Sequence, residues 1–166
     1  MIGRAIARAA TAGVLLCCAW PAAAWETQKA QSDGQLVCVM FEQFPDGAMV
    51  SFVISKDAHD DGMFLLHAVD PDWPFKEHQD IGDVFLAPRG ERMFDEPSFS
   101  IDHGFVQFLP ASSLREFVMR ASTDGFMIMR DQSPIGLYSG EGMMLAYSVL
   151  QECVRGQFGS RDAFAK

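Results

Sequence analysis

Histidines with acidic neighbours are the first residues whose types could do chemistry. His59 is followed by Asp60 and Asp61, and His67 and His78 come downstream. Histidine and carboxylate side chains are common ligands of zinc and related metals. The spacing does not match a compact motif such as H-E-x-x-H, and His67 stands in an apolar run. The pattern favours a solvated loop and one sheet histidine over a metal site, and the sequence predicts no cofactor.

A second group of residues is of the types that hydrolases use. Asp102-His103 and Ser139 supply an acid, a base and a hydroxyl. The segment from Gly136 to Gly140 has one residue too many for the nucleophile motif G-x-S-x-G. That motif also needs an α/β-hydrolase sheet, which this chain is too short to build. Ser139 is therefore favoured as a helix cap, and His103 as part of a turn.

Methionines offer a third kind of chemistry, because thioethers bind copper(I). Met127 and Met129 share one face of a predicted strand, and Met143 and Met144 are adjacent. No methionine-rich run with histidine is present, so a role as flexible core filler is favoured. The sequence also contains no G-x-G-x-x-G motif, no P-loop and no basic aromatic patch, which argues against nucleotide and nucleic-acid binding.

The loop around Trp73 and Phe75 is the candidate for an interaction site. Both aromatic residues stand beside prolines and are followed by Lys76, Glu77 and His78. Large apolar side chains in loops are common at protein interfaces. The alternative is that the two rings fold back over the sheet and belong to the core. The sequence favours that alternative, and it leaves open an interaction loop of Trp73, Phe75 and His78.

The N-terminal segment has the pattern of a cleavable signal peptide. Arg4 and Arg8 precede an apolar run from Ala9 to Trp20, which is shorter than the about 20 residues that a membrane span needs. Small residues at 22–24 then supply a cleavage site. We expect residues 1–24 to be removed before Trp25, which would export the protein and leave it with no stable membrane span.

Cleavage changes both the charge and the cysteine count. The remaining chain has 11 basic and 22 acidic residues, a net charge of −11, which disfavours nucleic acid and anionic lipid. It retains two of the four cysteines, Cys38 and Cys153. Two thiols in one exported domain most often pair, so we expect a Cys38–Cys153 disulfide that closes a loop of more than 100 residues.

Short apolar runs separated by turn residues predict a sheet of seven or eight strands. In the run from Met49 to Ser55, apolar residues alternate with others, which is typical of a strand with one buried face. Residues 25–34 are a polar lead-in, and 56–61 a charged loop. The other strands are expected at 35–41, 62–69, 81–87, 99–109, 126–130 and 135–138, with a short run at 92–94 and a hairpin turn or bulge at 102–104.

Two helices follow late in the chain. Ser113 and Glu116 form a capping box that predicts a helix through Ser122. Ser139 is expected to cap a last helix from about Glu141 to Arg155, with an inward stripe through Met144 or Leu145, Val149, Leu150 and Cys153. The predicted fold is α+β: a mostly antiparallel or sandwich-like β domain at 25–156 covered by helices, with a flexible tail at 157–166.

The order of these features resembles a known group of exported proteins. The residues that carry the resemblance are Cys38, Trp73, Phe117, Asp124-Gly125, Leu137-Tyr138-Ser139-Gly140, Ala146 and Glu152-Cys153-Val154. In this order they are similar to small secreted proteins of Gram-negative bacteria related to the invasion-associated locus B group. The resemblance implies the same fold, a periplasmic or secreted location in a Gram-negative bacterium, and a role in envelope or host interaction. It carries over no catalytic residue.

Taken together, these features predict an exported, non-enzymatic binding or accessory protein that contacts an envelope or host protein. The site of contact is expected at Trp73, Phe75 and His78. The alternative function is a small periplasmic hydrolase or metal-binding protein that uses His59, His67, His103 or Ser139.

Overall fold

The computed structural model describes residues 24–32, 34–94 and 96–159. Apart from Ala24, the predicted signal peptide lies outside the described residues, and so do residues 160–166 of the predicted tail. Nine strands and three helices are present in the described part of the chain: β1 (Glu26–Ser32), β2 (Gln35–Gln43), β3 (Met49–Ser55), α1 (Lys56–Asp60), β4 (Met63–Val69), β5 (Val84–Pro88), β6 (Ser98–Ile101), β7 (Gly104–Pro110), α2 (Ala111–Asp124), β8 (Phe126–Arg130), β9 (Ser133–Tyr138) and α3 (Met143–Phe158).

The strands form two antiparallel sheets. The larger sheet has six strands in the order β1-β2-β3-β4-β7-β6, and the smaller has three in the order β5-β8-β9. Most neighbours in the large sheet are consecutive in the chain, as expected of hairpin connections. Pro88 ends β5, which is an edge strand, where a missing N–H is tolerated. The fold is α+β, as predicted from the sequence.

The core lies between one face of the large sheet, the helices and the small sheet. Val50, Phe52 and Ile54 of β3 are fully buried, as their alternation predicts. The Phe52 ring lies 5.5 Å from that of Phe117 in α2, and Phe117 in turn contacts Phe126 of the small sheet at 5.2 Å. We call this side of the large sheet its inner face.

The predicted disulfide is present. Cys38 of β2 and Cys153 of α3 are bonded, with their Cα atoms 6.0 Å apart. The bond holds the last helix on the inner face of the sheet. Among the described residues, no helix has the length and apolar character needed to cross a lipid bilayer.

Several local predictions are wrong. The lead-in contains strand β1, whose largely exposed polar residues give no apolar pattern. The charged loop contains α1, which begins where the Ser55 hydroxyl accepts a hydrogen bond from Ala58 N–H. Helix α2 begins at Ala111, so Ser113 is not its cap. The segment 99–109 is a hairpin of two strands, β6 and β7, which resolves the choice between a turn and a bulge.

The last helix also differs from its prediction. It begins after Gly142 and continues to Phe158, two residues into the predicted tail. Its buried side chains are Met143, Ala146, Tyr147, Leu150, Cys153 and Val154. Leu150 and Cys153 therefore face inward as predicted, whereas Met144, Leu145 and Val149 are exposed because Met143, Ala146 and Tyr147 occupy the inward side of those turns.

Candidate functional site

The predicted interaction loop does not present its aromatic residues to solvent. Trp73 and Phe75 are 5% and 3% exposed, and the Trp73 ring stacks on Phe105 of β7 at 5.8 Å. The Trp73 indole N–H donates to the Ile135 carbonyl at 2.9 Å. The two rings therefore pack on the inner face, as in the alternative that the sequence favours. His78 is the one exposed residue of the three, since Trp73 and Phe75 are buried.

The histidines of the alternative function, a hydrolase or metal-binding protein, lie in three different elements. His59 is buried in α1, His67 lies in β4, and His103 is in the β6–β7 turn. The His103 Nδ1 lies 2.9 Å from the Trp73 carbonyl oxygen. Within the described residues, no group of three or more histidine, cysteine, aspartate or glutamate side chains is placed to hold a metal ion.

Ser139 lies in the turn before α3. Its hydroxyl accepts a hydrogen bond from the Glu141 N–H at 3.1 Å, and its carbonyl accepts one from the Trp25 indole at 3.0 Å. It borders an open depression of about 720 Å³, which is also lined by Thr123, Asp124 and Glu141. No histidine lines this depression, so the structure does not assemble a serine–histidine pair there.

The outer face of the large sheet is the strongest candidate for a binding surface. Strand registers place its side chains in two rows that cross the sheet. One row carries Phe41, Ser51, His67, Val106 and Phe99, and the next carries Val39, Val53, Leu65 and Phe108. We use the name outer face for these nine residues, seven of which are apolar.

Solvent reaches this outer face. Phe99 and Phe108 are 56% and 52% exposed, and the other apolar members are partly exposed. Helices α2 and α3 pack on the opposite side, where Phe117 meets Phe52 and Cys153 is bonded to Cys38. Contiguous exposed apolar surface is uncommon on proteins that act alone, and it marks sites of interaction.

The sequence of β4 already indicates this apolar face. The run from Met63 to Val69 is apolar at both odd and even positions, so both faces of β4 are apolar. Such runs are typical of strands that are covered on both sides. In this molecule the odd positions, Met63, Leu65, His67 and Val69, are only partly buried. The pattern therefore indicates a surface suited to a partner.

His67 stands at the centre of the outer face. Its Nδ1 lies 3.3 Å from the Ser51 hydroxyl oxygen, which is itself buried. Burial lowers the pKa of His67 below its usual 6.5, so the ring is neutral at neutral pH. The centre of the face is thus polar but uncharged.

Acidic loops border one end of the outer face. Because neighbouring strands are antiparallel, the β2–β3 turn, the end of β4 and the β6–β7 turn meet at the same end of the sheet. They carry Asp46, Asp70, Asp72 and Asp102, which we call the acidic rim. Burial, and after it the charges of Asp70 and Asp46, raise the pKa of Tyr138, so both carboxylates lie near the Tyr138 ring.

Comparison of the chain with protein-family models, curated proteins and solved structures finds no match. The similarity to the invasion-associated locus B group remains a prediction from the sequence.

Proposed function

We propose that this protein is an exported, non-enzymatic binding protein of the periplasm or extracellular space, and that it binds another protein through the outer face. The observation that carries the proposal is the pair of rows across the sheet, with Phe99 and Phe108 more than half exposed. The signal-peptide pattern and the Cys38–Cys153 bond support the compartment, since disulfides persist where the environment is oxidising.

The dimensions of the outer face suit the centre of an interface. Five strands contribute to it, and at about 4.8 Å between strands it is about 19 Å wide from β2 to β6. Stable interfaces have an apolar core surrounded by a polar rim. The two rows supply the core, and the acidic rim supplies part of the border.

The charge of the molecule specifies the chemistry of the partner. The acidic rim attracts lysine and arginine, and the net charge of the chain is −9 even with both N-terminal arginines included. The partner is therefore a protein that presents an apolar patch bordered by basic side chains.

Photo-crosslinking in the native host tests this proposal. A photoreactive phenylalanine analogue replaces Phe108 or Phe99 in the full-length chain, and Met119 serves as the matched control because it is 48% exposed on α2. We expect both outer-face positions to give the same adduct and Met119 to give none. The adduct should weaken when Asp46, Asp70 and Asp102 are all changed to asparagine, because the basic border of the partner loses its counterpart.

Three outcomes contradict the proposal. Equal adducts from Met119 and Phe108 would mean that the reaction is unspecific. An adduct of twice the mass of the chain would identify a second copy as the occupant. If the three asparagine substitutions leave the adduct unchanged, the partner does not bind through basic side chains at the acidic rim.

A further inference from the structure

Glu42 is a buried carboxylate with one unpaired oxygen atom. It lies on the inner face of β2, beyond Cys38 and Met40, and is only 2% exposed. Within the described part of the chain, its Oε2 atom has no hydrogen-bond partner. A buried charge costs on the order of several kcal/mol unless a counter-charge and hydrogen bonds compensate it. The Glu42 carboxylate therefore lacks the counter-charge and one of the hydrogen bonds that would stabilise it when ionised.

A second acid makes the absence of a cation more costly. Burial and the neighbouring Glu141 carboxylate raise the pKa of Glu42 from its usual 4.5 to about 7. In the described part of the chain, the ion pairs formed by lysine, arginine and histidine involve neither Glu42 nor Glu141. Two carboxylates thus meet at a place that favours a positive charge.

Trp25 lies next to this place. The β1–β2 register pairs Glu26 with Phe41, and one further step along both strands sets Trp25 opposite Glu42. The Trp25 ring is held on the same face by Phe52 at 5.6 Å and by its hydrogen bond to Ser139. Its main-chain nitrogen lies 3.7 Å from the position that a Cβ of Gly142 would take, next to Glu141.

The Ala24–Trp25 bond marks a boundary between exposed and buried chain. Ala24 is exposed, whereas Trp25 is 5% exposed and belongs to the core. This bond is also where the signal-peptide pattern predicts cleavage. Its hydrolysis by an exported endopeptidase adds one water molecule, leaves a carboxylate on Ala24 and frees the amino group of Trp25.

We propose that the free α-amino group of Trp25, released by this cleavage, binds the buried carboxylate of Glu42 as an ammonium ion. The inference depends on the proposed export, since no other step frees this amine. An α-amino group has a usual pKa of about 7.7–8.0 and carries three N–H donors when protonated. It supplies both the charge and the hydrogen bond that Glu42 lacks. Removal of the signal peptide then completes the core of the domain.

A titration of the exported protein tests the ion pair. The full-length chain and its E42Q variant are expressed in a Gram-negative host and recovered from the periplasm, and intact mass identifies the first residue. Uniform ¹³C and ¹⁵N labelling leaves the N–H groups of the amine unmodified, and NMR then follows the Cα and α-nitrogen signals of Trp25 against pH. We expect the pKa of this amine in the wild-type protein to exceed its usual value by at least about one pH unit. In E42Q it should return to the usual value.

The matched control is Glu26→Gln, because Glu26 is adjacent in sequence but exposed. Its α-amino pKa should stay close to that of the wild-type protein. A wild-type amine with an ordinary pKa overturns the ion pair, whether or not E42Q folds. A chain that begins elsewhere than Trp25 overturns it as well. Retention of the full-length precursor in the cytoplasm would additionally contradict export, so the two failures are distinguishable.

Discussion

At the scale of single residues, His67 controls whether the outer face is charged. Its pKa in the folded state lies below the usual 6.5, so the unfolded chain takes up this proton first as the pH falls. The free energy of unfolding should therefore decrease as the pH drops below about 6.5. In His67→Gln this contribution is absent, and the difference between the two proteins in denaturant unfolding at pH 5 and pH 7.5 measures it.

His78→Gln is the control for this effect, because the His78 side chain is 89% exposed. It reports the effect of losing a histidine that does not lie on the outer face. A partner that covers the outer face would bury His67 further, so binding should also weaken at acidic pH. Equal pH dependence in His67→Gln and in the wild-type protein would argue against this role.

Gln107 is the residue that ties the two sheets together. It is fully buried in β7, and its side-chain nitrogen lies 2.8 Å from the Val84 carbonyl oxygen of β5 and 3.1 Å from that of Glu96. Gln107→Leu keeps the volume but leaves both carbonyls without this donor. We expect a loss of about 2–4 kcal/mol in the free energy of unfolding, measured by denaturant titration.

The control for Gln107 is Gln28→Leu, at an exposed position of β1. A surface change of this kind should alter stability by no more than about 0.5 kcal/mol. If the two substitutions had equal effects, the hydrogen bonds of Gln107 would contribute nothing specific.

At the scale of elements, the packing of α2 against the start of α3 depends on Gly140. A Cβ at this position would lie 1.9 Å from the Ala121 carbonyl oxygen, in the backbone of α2. Backbone cannot move aside as a flexible side chain can, so the two helices would have to separate. We expect Gly140→Ala to lower the free energy of unfolding by about 3 kcal/mol in chemical denaturation.

Gly156 provides a matched comparison within α3. A Cβ there would meet nothing within 4 Å. Because glycine weakens a helix relative to alanine, Gly156→Ala should stabilise the protein by about 0.5–1 kcal/mol. The two alanine substitutions are thus expected to have opposite signs, and equal signs would contradict the steric argument.

The elements that the sequence reveals are those whose burial has a local period. Strand β3 was predictable because its inward residues alternate, and β4 because all of its residues except His67 are apolar. Strand β1 was not, since it pairs with β2 through its backbone while its side chains stay largely exposed. The rotation of α3 was predictable only in part: Leu150 and Cys153 face inward as expected, but Ala146 and Tyr147 are buried where Leu145 and Val149 were expected.

At the scale of the whole molecule, the candidate site was beyond local prediction for the same reason. Trp73 and Phe75 stand in a polar, proline-rich segment, which suggests a surface loop. Their burial depends on Phe105 and Ile135, both far away in sequence. The apolar character of the outer face is visible in β4, but its exposure depends on the side that α2 and α3 cover. Long-range packing, rather than residue type, decides which apolar side chains stay exposed.

The disulfide fixes one of these long-range contacts covalently, between β2 and α3. It joins residues 115 apart and encloses nearly all of the described domain. A bond that closes so long a loop stabilises the folded state by about 4–5 kcal/mol in the chain-entropy model. The double variant Cys38→Ala, Cys153→Ala should lose that amount, and reduction of the wild-type protein should have a similar effect in denaturant titration.

This loss of stability should leave the outer face intact. The bond lies on the inner side of β2, whereas Phe99 and Phe108 project from the opposite side of the sheet. At a temperature where the double variant is still folded, the crosslink from Phe108 should therefore form as it does in the wild-type protein. If a folded variant loses the adduct, the outer face and the disulfide are coupled, and the sheet does not act as a rigid support for binding. If stability falls by less than about 1 kcal/mol, it is the packing of α3 that closes the domain, and not the bond.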